Sequence, residues 1–260
     1  MCRLFALISN KEVNAEFSFL EADHPFIELA KSNHDGWGLG YYKNNSARVF
    51  KEPKDALHSR KFQKKAKNIK SKIIIAHIRS KTQGKSSIKN THPFKYKSWI
   101  FAHNGNIDIK NILKANIKSK YLKNIEGETD SELFFYWLLQ NINESKNISK
   151  GIKKAINFVE KNKKSKTDSL NFILSDGNKL FALRDAFKNK KWFSLYYLTR
   201  KKKEVAHFKS KETKLSIKHK LEKAVILCSE KLTRNDKWNI LNSKELITIN
   251  KDFKINKITI

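Results

Sequence analysis

Residues 1–8 read Met1-Cys2-Arg3-Leu4-Phe5-Ala6-Leu7-Ile8, a cysteine in second place followed at once by an apolar, strand-like run. A small second residue allows the initiator methionine to be removed, leaving Cys2 with a free α-amino group beside its thiol. That amine ionises at about 7.7 to 8.0 and the thiol at about 8.5, so near neutral pH the amine can serve as base for its own side chain. No separate histidine is then needed. Taken alone, Cys2 reads first as an ordinary early residue of a strand, so the rest of the chain has to decide.

Working outward, apolar runs rich in β-branched and aromatic residues recur at 4–8, 38–42, 73–78, 99–102, 170–174, 180–183, 193–198, 224–227 and 246–249. Their length and turn-like flanks, Asn44-Asn45 and Asp176-Gly177 among them, predict strands. Helical spacing marks roughly 108–117, 129–142 and 149–163. The middle helix opens with Thr129-Asp130-Ser131-Glu132, a capping box in which Thr129 accepts from the backbone and Glu132 reaches back. Behind it Leu133, Phe134, Phe135, Trp137, Leu138 and Leu139 leave little polar face, which predicts a helix between layers and not on the surface. Strands, then helices, then strands suggest stacked sheets with helices outside. No Pro- or Gly-rich linker divides the 260 residues and no fixed repeat is visible, so a single domain over 2–260 is expected.

The formal charge of +30, from 55 Lys and Arg against 25 Asp and Glu, raises a nucleic acid or an anionic membrane as partner. Only seven of those residues are Arg, whereas phosphate and base recognition draw on Arg forks as well as Lys. The Lys runs at 60–72, 161–166 and 200–203 read as surface loops or solvated helix faces. No segment approaches the roughly 18 to 20 apolar residues of a membrane span. Two cysteines, Cys2 and Cys228, form no disulfide framework, and with no leader visible the expected compartment is a reducing cytoplasm.

Glycines are scarce, eight in all, so their placement is informative. Gly36, Gly38 and Gly40 fall in Asn33-His34-Asp35-Gly36-Trp37-Gly38-Leu39-Gly40, and Gly105 falls in His103-Asn104-Gly105-Asn106. Glycine at such points permits a left-handed turn or a close backbone approach. By itself Asn104-Gly105 reads as a type I′ hairpin turn. In order along the chain, however, stand Met1-Cys2-Arg3 and a strand, His34-Asp35-Gly36-Trp37-Gly38, Ala76-His77-Ile78-Arg79 with Thr82 and Gly84, Thr91-His92-Pro93-Phe94, Phe101-Ala102-His103-Asn104-Gly105, and Gly127-Glu128-Thr129-Asp130-Ser131-Glu132. This order resembles the class II glutamine amidotransferases, members of the N-terminal nucleophile hydrolase superfamily. The likeness is greatest to a compact stand-alone branch that includes the γ-glutamyl hydrolase of ergothioneine biosynthesis. The later segments 171–177 and 229–233 are similar to that branch as well.

The resemblance implies a four-layer α/β/β/α sandwich and hydrolysis of the γ-amide of glutamine, or of a γ-glutamyl compound, through a Cys2 thioester. It implies Arg79 as the grip on the substrate carboxylate, apt because guanidinium binds carboxylate as a fork. It implies Asp130 for the ammonium, Thr82 beside the glutamine backbone, and Asn104 with Gly105 as the oxyanion hole. His77 and His103 are expected to brace loops. Ser80 after Arg79 and Gln83 after Thr82 depart from the synthase-linked relatives. With no room for a synthase domain, either a partner chain receives the ammonia or water is the only acceptor. No metal or cofactor is expected: the spacing of His77, His92 and His103 matches no compact zinc pattern, and His24, His58, His207 and His219 stand in unmatched surroundings. Two rivals remain, an acylase of the same superfamily acting on another amide, and a basic nucleic-acid-binding protein using Lys61, Lys64, Lys65 and Lys67 with residues 200–203.

Overall fold

The computed structural model describes residues 2–200 and 223–260. Lys201, Lys202 and Lys203 of the last basic run, together with His207 and His219, lie outside the described residues, so the expected basic stripe is visible only at α1 (Arg60–Asn68) and Arg200.

Two antiparallel sheets carry the fold. The first, sheet A, runs in the order β11 (Asn239–Ile240), β9 (Tyr196–Arg200), β10 (Ala224–Cys228), β1 (Arg3–Val13), β4 (Ser71–Ile78), β2 (Trp37–Lys43) and β3 (Ser46–Glu52). The second, sheet B, runs β13 (Ile255–Thr259), β12 (Glu245–Ile249), β8 (Leu180–Arg184), β7 (Asn171–Ser175), β6 (Trp99–Asn104) and β5 (Phe94–Tyr96). Alternation along each strand decides what lies between them. Leu4, Ala6 and Ile8 of β1 and Ile73 and Ile75 of β4 pack against Ile100 and Ala102 of β6, Ile173, Ala182 and Ile247. The odd partners on β1, Phe5 and Leu7, face the other way, onto Phe19, Phe26 and Phe62.

That outer face of sheet A is covered by α1 and by two short non-α helical segments, Phe17–Glu21 and Phe26–Ser32. On the far side, sheet B is covered by α2 (Lys110–Asn116), α3 (Ser119–Leu122), α4 (Asp130–Ser145) and α5 (Ile148–Asn162). The result is the four-layer α/β/β/α sandwich expected from the sequence. Every residue of α4 from Asp130 to Ile142 is buried. Phe134 and Phe135 pack on Phe101 of β6, and the Trp137 indole donates to the Ala155 carbonyl of α5 at 3.2 Å. The lack of a polar face on this helix is thereby explained.

Some local readings change. The run 60–68 is a helix, capped by Ser59, whose hydroxyl accepts from the Phe62 N–H at 3.1 Å. The run 193–198 becomes a strand only from Tyr196, because Phe193 and Leu195 are buried in the loop that precedes it. The capping box of α4 is half as expected: Thr129 Oγ1 accepts from Glu132 N–H at 3.3 Å, but the Glu132 carboxylate takes the N–H groups of Glu126 and Gly127, at 3.1 and 2.7 Å, and so ties down the preceding loop.

The α4–α5 crossing supplies a test of packing against propensity. A Cβ on Gly151 would lie 2.4 Å from the Ile142 Cα and 2.7 Å from the Asn141 carbonyl. Helix propensity alone favours Gly151→Ala by about 1 kcal/mol, whereas overpacking costs about 1–3 kcal/mol. Gly151→Ala should therefore lower stability, read as a fall in the denaturant midpoint at unchanged slope; a rise in the midpoint would mean that the crossing relaxes freely.

Candidate active site

Because Leu4, Ala6 and Ile8 point into the gap between the sheets, Cys2 continues the same face at the end of β1. Its Sγ lies 3.3 Å from both the carbonyl and the N–H of Ser80, just past β4, donating to one and accepting from the other. By the same alternation His77 and Arg79 follow Ile73 and Ile75 to the inner face, and Asn104 follows Ile100 and Ala102 from the opposite sheet. The His77 Nε2 hydrogen bonds the His103 carbonyl at 3.1 Å and so ties the end of β4 to the end of β6. Cys2, Arg79 and Asn104 thus collect at one end of the sandwich.

Arg79 is buried at 3% exposure, with its guanidinium held by carbonyls alone: Gln83 at 2.8 Å, Lys85 at 3.1 Å and Gly84 at 3.4 Å. Among the described residues no carboxylate pairs with it. A buried cation satisfied only by dipoles keeps its charge available for an anion. The loop that wraps it is joined to the end of β6 through Gln83, whose side-chain amide donates to Asn106 Oδ1. Thr82, on the same loop, is exposed.

Asn104 is 2% exposed, and its Nδ2 has no hydrogen-bond partner. A buried amide donor left without an acceptor costs about 1–3 kcal/mol, so such a group calls for a ligand or a mechanistic reason. Gly105 beside it lacks the positive φ of a type I′ turn, and β6 leads on to α2 instead of a paired strand. The hairpin reading is corrected on that ground. What requires glycine is close approach: a Cβ at 105 would stand 1.9 Å from the Ser169 carbonyl oxygen. The segment around Ser169 is strapped to this turn, with Asn106 N–H donating to Asp168 Oδ1 at 2.7 Å and Asp168 N–H to the Asn106 carbonyl at 3.1 Å. Sequence reasoning missed Asp168, since nothing local marks it.

Asp130, the first residue of α4, is buried and accepts from Ile107 N–H at 2.6 Å and Ser131 N–H at 2.8 Å. Burial outweighs these bonds and pushes its carboxyl up to about 6. Ser131 Oγ meets His103 Nδ1 at 2.9 Å, and the other ring nitrogen of His103 lies 3.3 Å from the Ser169 carbonyl. Burial holds His103 down at about 4 and His77 at about 3, so both are neutral at pH 7. Each braces backbone, as expected, and neither touches Cys2. His92, stacked on His77 with ring centroids 4.2 Å apart, is also pushed well below its usual value by burial. His77 and His92 form one ring pair, and the His103 ring packs on Phe101 and Phe134 instead; among the described residues no group of three or more His, Cys, Asp or Glu is set to hold a metal. Burial also raises the Cys2 thiol, with the Ser80 N–H and the charges of Arg79 and Arg3 working against that rise.

Three of the four α1 lysines named for nucleic acid, Lys64 being the exception, have a local partner. Lys61 lies 3.6 Å from Glu52, Lys67 3.8 Å from Glu16, and Lys65 sits over the Phe50 ring at 4.6 Å. Among the described residues no helix is long and apolar enough to cross a membrane.

With this geometry in view, comparison with known proteins is informative. The pattern of class II glutamine amidotransferases matches residues 1–257. A Haemophilus influenzae protein named as a glutamine amidotransferase is 35% identical over 190 residues, 70% of this chain and 62% of that protein, so the match spans less than two thirds of the relative's length. The γ-glutamyl-hercynylcysteine sulfoxide hydrolase of Mycobacterium tuberculosis is 34% identical over 77 residues, 29% of this chain and 33% of its own. A solved class-II glutamine aminotransferase domain protein from Silicibacter pomeroyi superposes with a TM-score of 0.68 at 17% identity, covering 99% of both chains, a likeness of fold.

The buried histidines generate a pH test. A histidine held neutral when folded contributes stability that is present above its unfolded value of about 6.5 and is lost as pH falls below it. Neither ring nitrogen of His92 has a hydrogen-bond partner. His92→Phe should therefore sacrifice no hydrogen bond and flatten the fall in melting temperature between pH 6.5 and 5; an unchanged slope would mean that His92 does not titrate on unfolding.

Proposed function

The chain belongs to the class II glutamine amidotransferases, and from that premise we propose that it hydrolyses the γ-amide of glutamine, or of a γ-glutamyl compound, through a thioester on Cys2. Once Met1 is removed, the α-amine of Cys2 takes the thiol proton as Sγ attacks the γ-carbonyl carbon. A C–S bond forms and negative charge develops on the oxygen. Asn104 Nδ2 and the Gly105 N–H receive that charge. The C–N bond then breaks, and the proton held by the amine of Cys2 leaves with the ammonia or amine. Water adds to the thioester, releases glutamate and restores the thiol. The observation that carries the reading is the buried, unpartnered Asn104 amide on the same inner face as Cys2.

Recognition of the amino-acid end falls to Arg79 for the carboxylate and Asp130 for the ammonium, with Thr82 on the loop above. An aspartate that ionises at about 6 is mostly charged at pH 7, as binding an ammonium requires. The reading takes 2–260 as one amidotransferase domain, working in the cytoplasm where the thiol stays reduced. The acceptor of the ammonia is a partner chain or water.

Treatment with a glutamine analogue bearing an electrophile should add its mass to Cys2 and nowhere else, in a protein whose intact mass lacks Met1. Met1 retained in active enzyme would overturn the mechanism, since an acylated nitrogen is no base. Cys2→Ala should abolish turnover with folding intact. Asn104→Ala should lower kcat by about 10²–10³ with less effect on KM. Arg79→Ala and Asp130→Ala should weaken kcat/KM for glutamine by about 3 kcal/mol or more. Normal glutamine turnover by Arg79→Ala would move the reaction to a different amide.

A further inference from the structure

The three residues that follow Asn104 each hold a different part of the site. Gly105 stands against the Ser169 carbonyl, Ile107 donates its N–H to Asp130 Oδ2 at 2.6 Å, and Asn106 between them carries the amide that reaches the Arg79 loop. The backbone of Asn106 is fixed on both sides, its N–H donating to Asp168 Oδ1 at 2.7 Å and its carbonyl accepting from the Asp168 N–H at 3.1 Å. Its side chain is held at both ends as well. Nδ2 donates to the Lys166 carbonyl at 2.9 Å, and Oδ1 accepts from Gln83 Nε2.

Gln83 completes the connection from the other side. Its carbonyl is the nearest of the three that hold the Arg79 guanidinium, at 2.8 Å, so one residue meets the carboxylate grip with its backbone and the oxyanion turn with its side chain. The far side of the loop has a separate anchor, in which Asn90 Nδ2 donates to the Lys85 carbonyl at 3.0 Å and Asn90 Oδ1 accepts from the Glu128 N–H at 2.7 Å. Gln83 and Asn106 are only half-buried, so replacing either side chain opens no cavity in the core.

Resting on the function proposed above, we infer that Gln83 and Asn106 are positioning residues, a strut that fixes the span between the guanidinium that takes the substrate carboxylate and the Asn104–Gly105 donors that receive the oxyanion. They act through those groups and not on the substrate. Glutamine bridges the same two points, from its α-carboxylate to its γ-carbonyl, so a strut of set length beside it brings the reacting carbon against the donors while the carboxylate is held. Contact at Arg79 is thereby converted into alignment at the reacting carbon, where it raises kcat. A substrate that lacks the carboxylate gains nothing from the strut.

The test is steady-state hydrolysis by the full chain of L-glutamine and of γ-aminobutyramide, which is glutamine without its carboxylate. The variants are Gln83→Met, which keeps the length of the side chain and removes the donor, Asn106→Leu, and the two combined. Gln83→Met should lower kcat for glutamine by about tenfold, the scale of one hydrogen bond, with KM changed by less than about twofold. Its kcat/KM for γ-aminobutyramide should stay within about twofold of the parent chain, and in an Arg79→Ala background it should cost glutamine no further rate. The combined variant should fall no further than the worse single, because both substitutions break one link. Equal loss on both substrates, or a further loss in the Arg79→Ala background, makes the bond a structural brace of the oxyanion turn and overturns the proposal. Unchanged kcat for glutamine, or a loss confined to KM, overturns it too. Any of these results with glutamine still hydrolysed by the parent chain leaves the amidohydrolase reading standing; a parent chain that hydrolyses no glutamine removes both.

Discussion

The carbonyl of Ser169 occupies the space that a side chain at position 105 would need, and most of the site is arranged around that contact. With a bare Cα at 105 the end of β6 can press against the segment that leads into β7, and Asp168 and Asn106 then close a pair of hydrogen bonds across it. Asn104, one residue back, is held on the inner face with its amide donors pointed where no protein acceptor waits. His103, two residues back, turns to the outer face and links the Ser169 carbonyl to Ser131 and so to the start of α4. Asp130 is fixed by the same helix start and by the Ile107 N–H. One missing Cβ thereby sets the relation between an amide donor from one sheet and a carboxylate from the helical layer.

The electrostatic character follows from burial more than from pairing. Arg79 sits among carbonyls, the three histidines are neutral because charging any of them would strand a buried cation, and Asp130 ionises late because burial disfavours its charge too. Of the α1 lysines, Lys61 and Lys67 find a glutamate and Lys65 an aromatic ring close by, each contact worth on the order of 1 kcal/mol or less.

How much of this was legible in the sequence depended on whether the cause was local. The central strands were readable because they are buried on both faces and form apolar runs with a single polar break each, His77 in 73–78 and Asn171 in 170–174. The edge strands β3 and β13, Ser46–Glu52 and Ile255–Thr259, were not, since most of their side chains meet solvent and the apolar signal disappears. The helical segments at 17–21 and 26–32 lack the 3.6-residue period and left no trace of their kind. In the site, Arg79 and Asp130 are reached through the family resemblance; the scarcity of Arg only weighs against an ordinary salt bridge for the one, and a helix start by itself offers the other no more than a dipole contact. The Asn104-Gly105 pair carried a strong local turn signal that pointed the wrong way, because the reason for glycine there is Ser169, far off in sequence.

The place of β1 has a consequence for how the molecule is made. β1 precedes every other strand of sheet A in the chain yet sits inside that sheet, and Leu4 reaches a partner in Ser229 that is 225 residues away. At about 5–20 residues per second, the β10 edge of β1 stays unpaired for roughly 10 to 45 s of synthesis. For that interval an apolar strand edge is open to other chains, a hazard for nascent-chain aggregation that falls hardest at high expression.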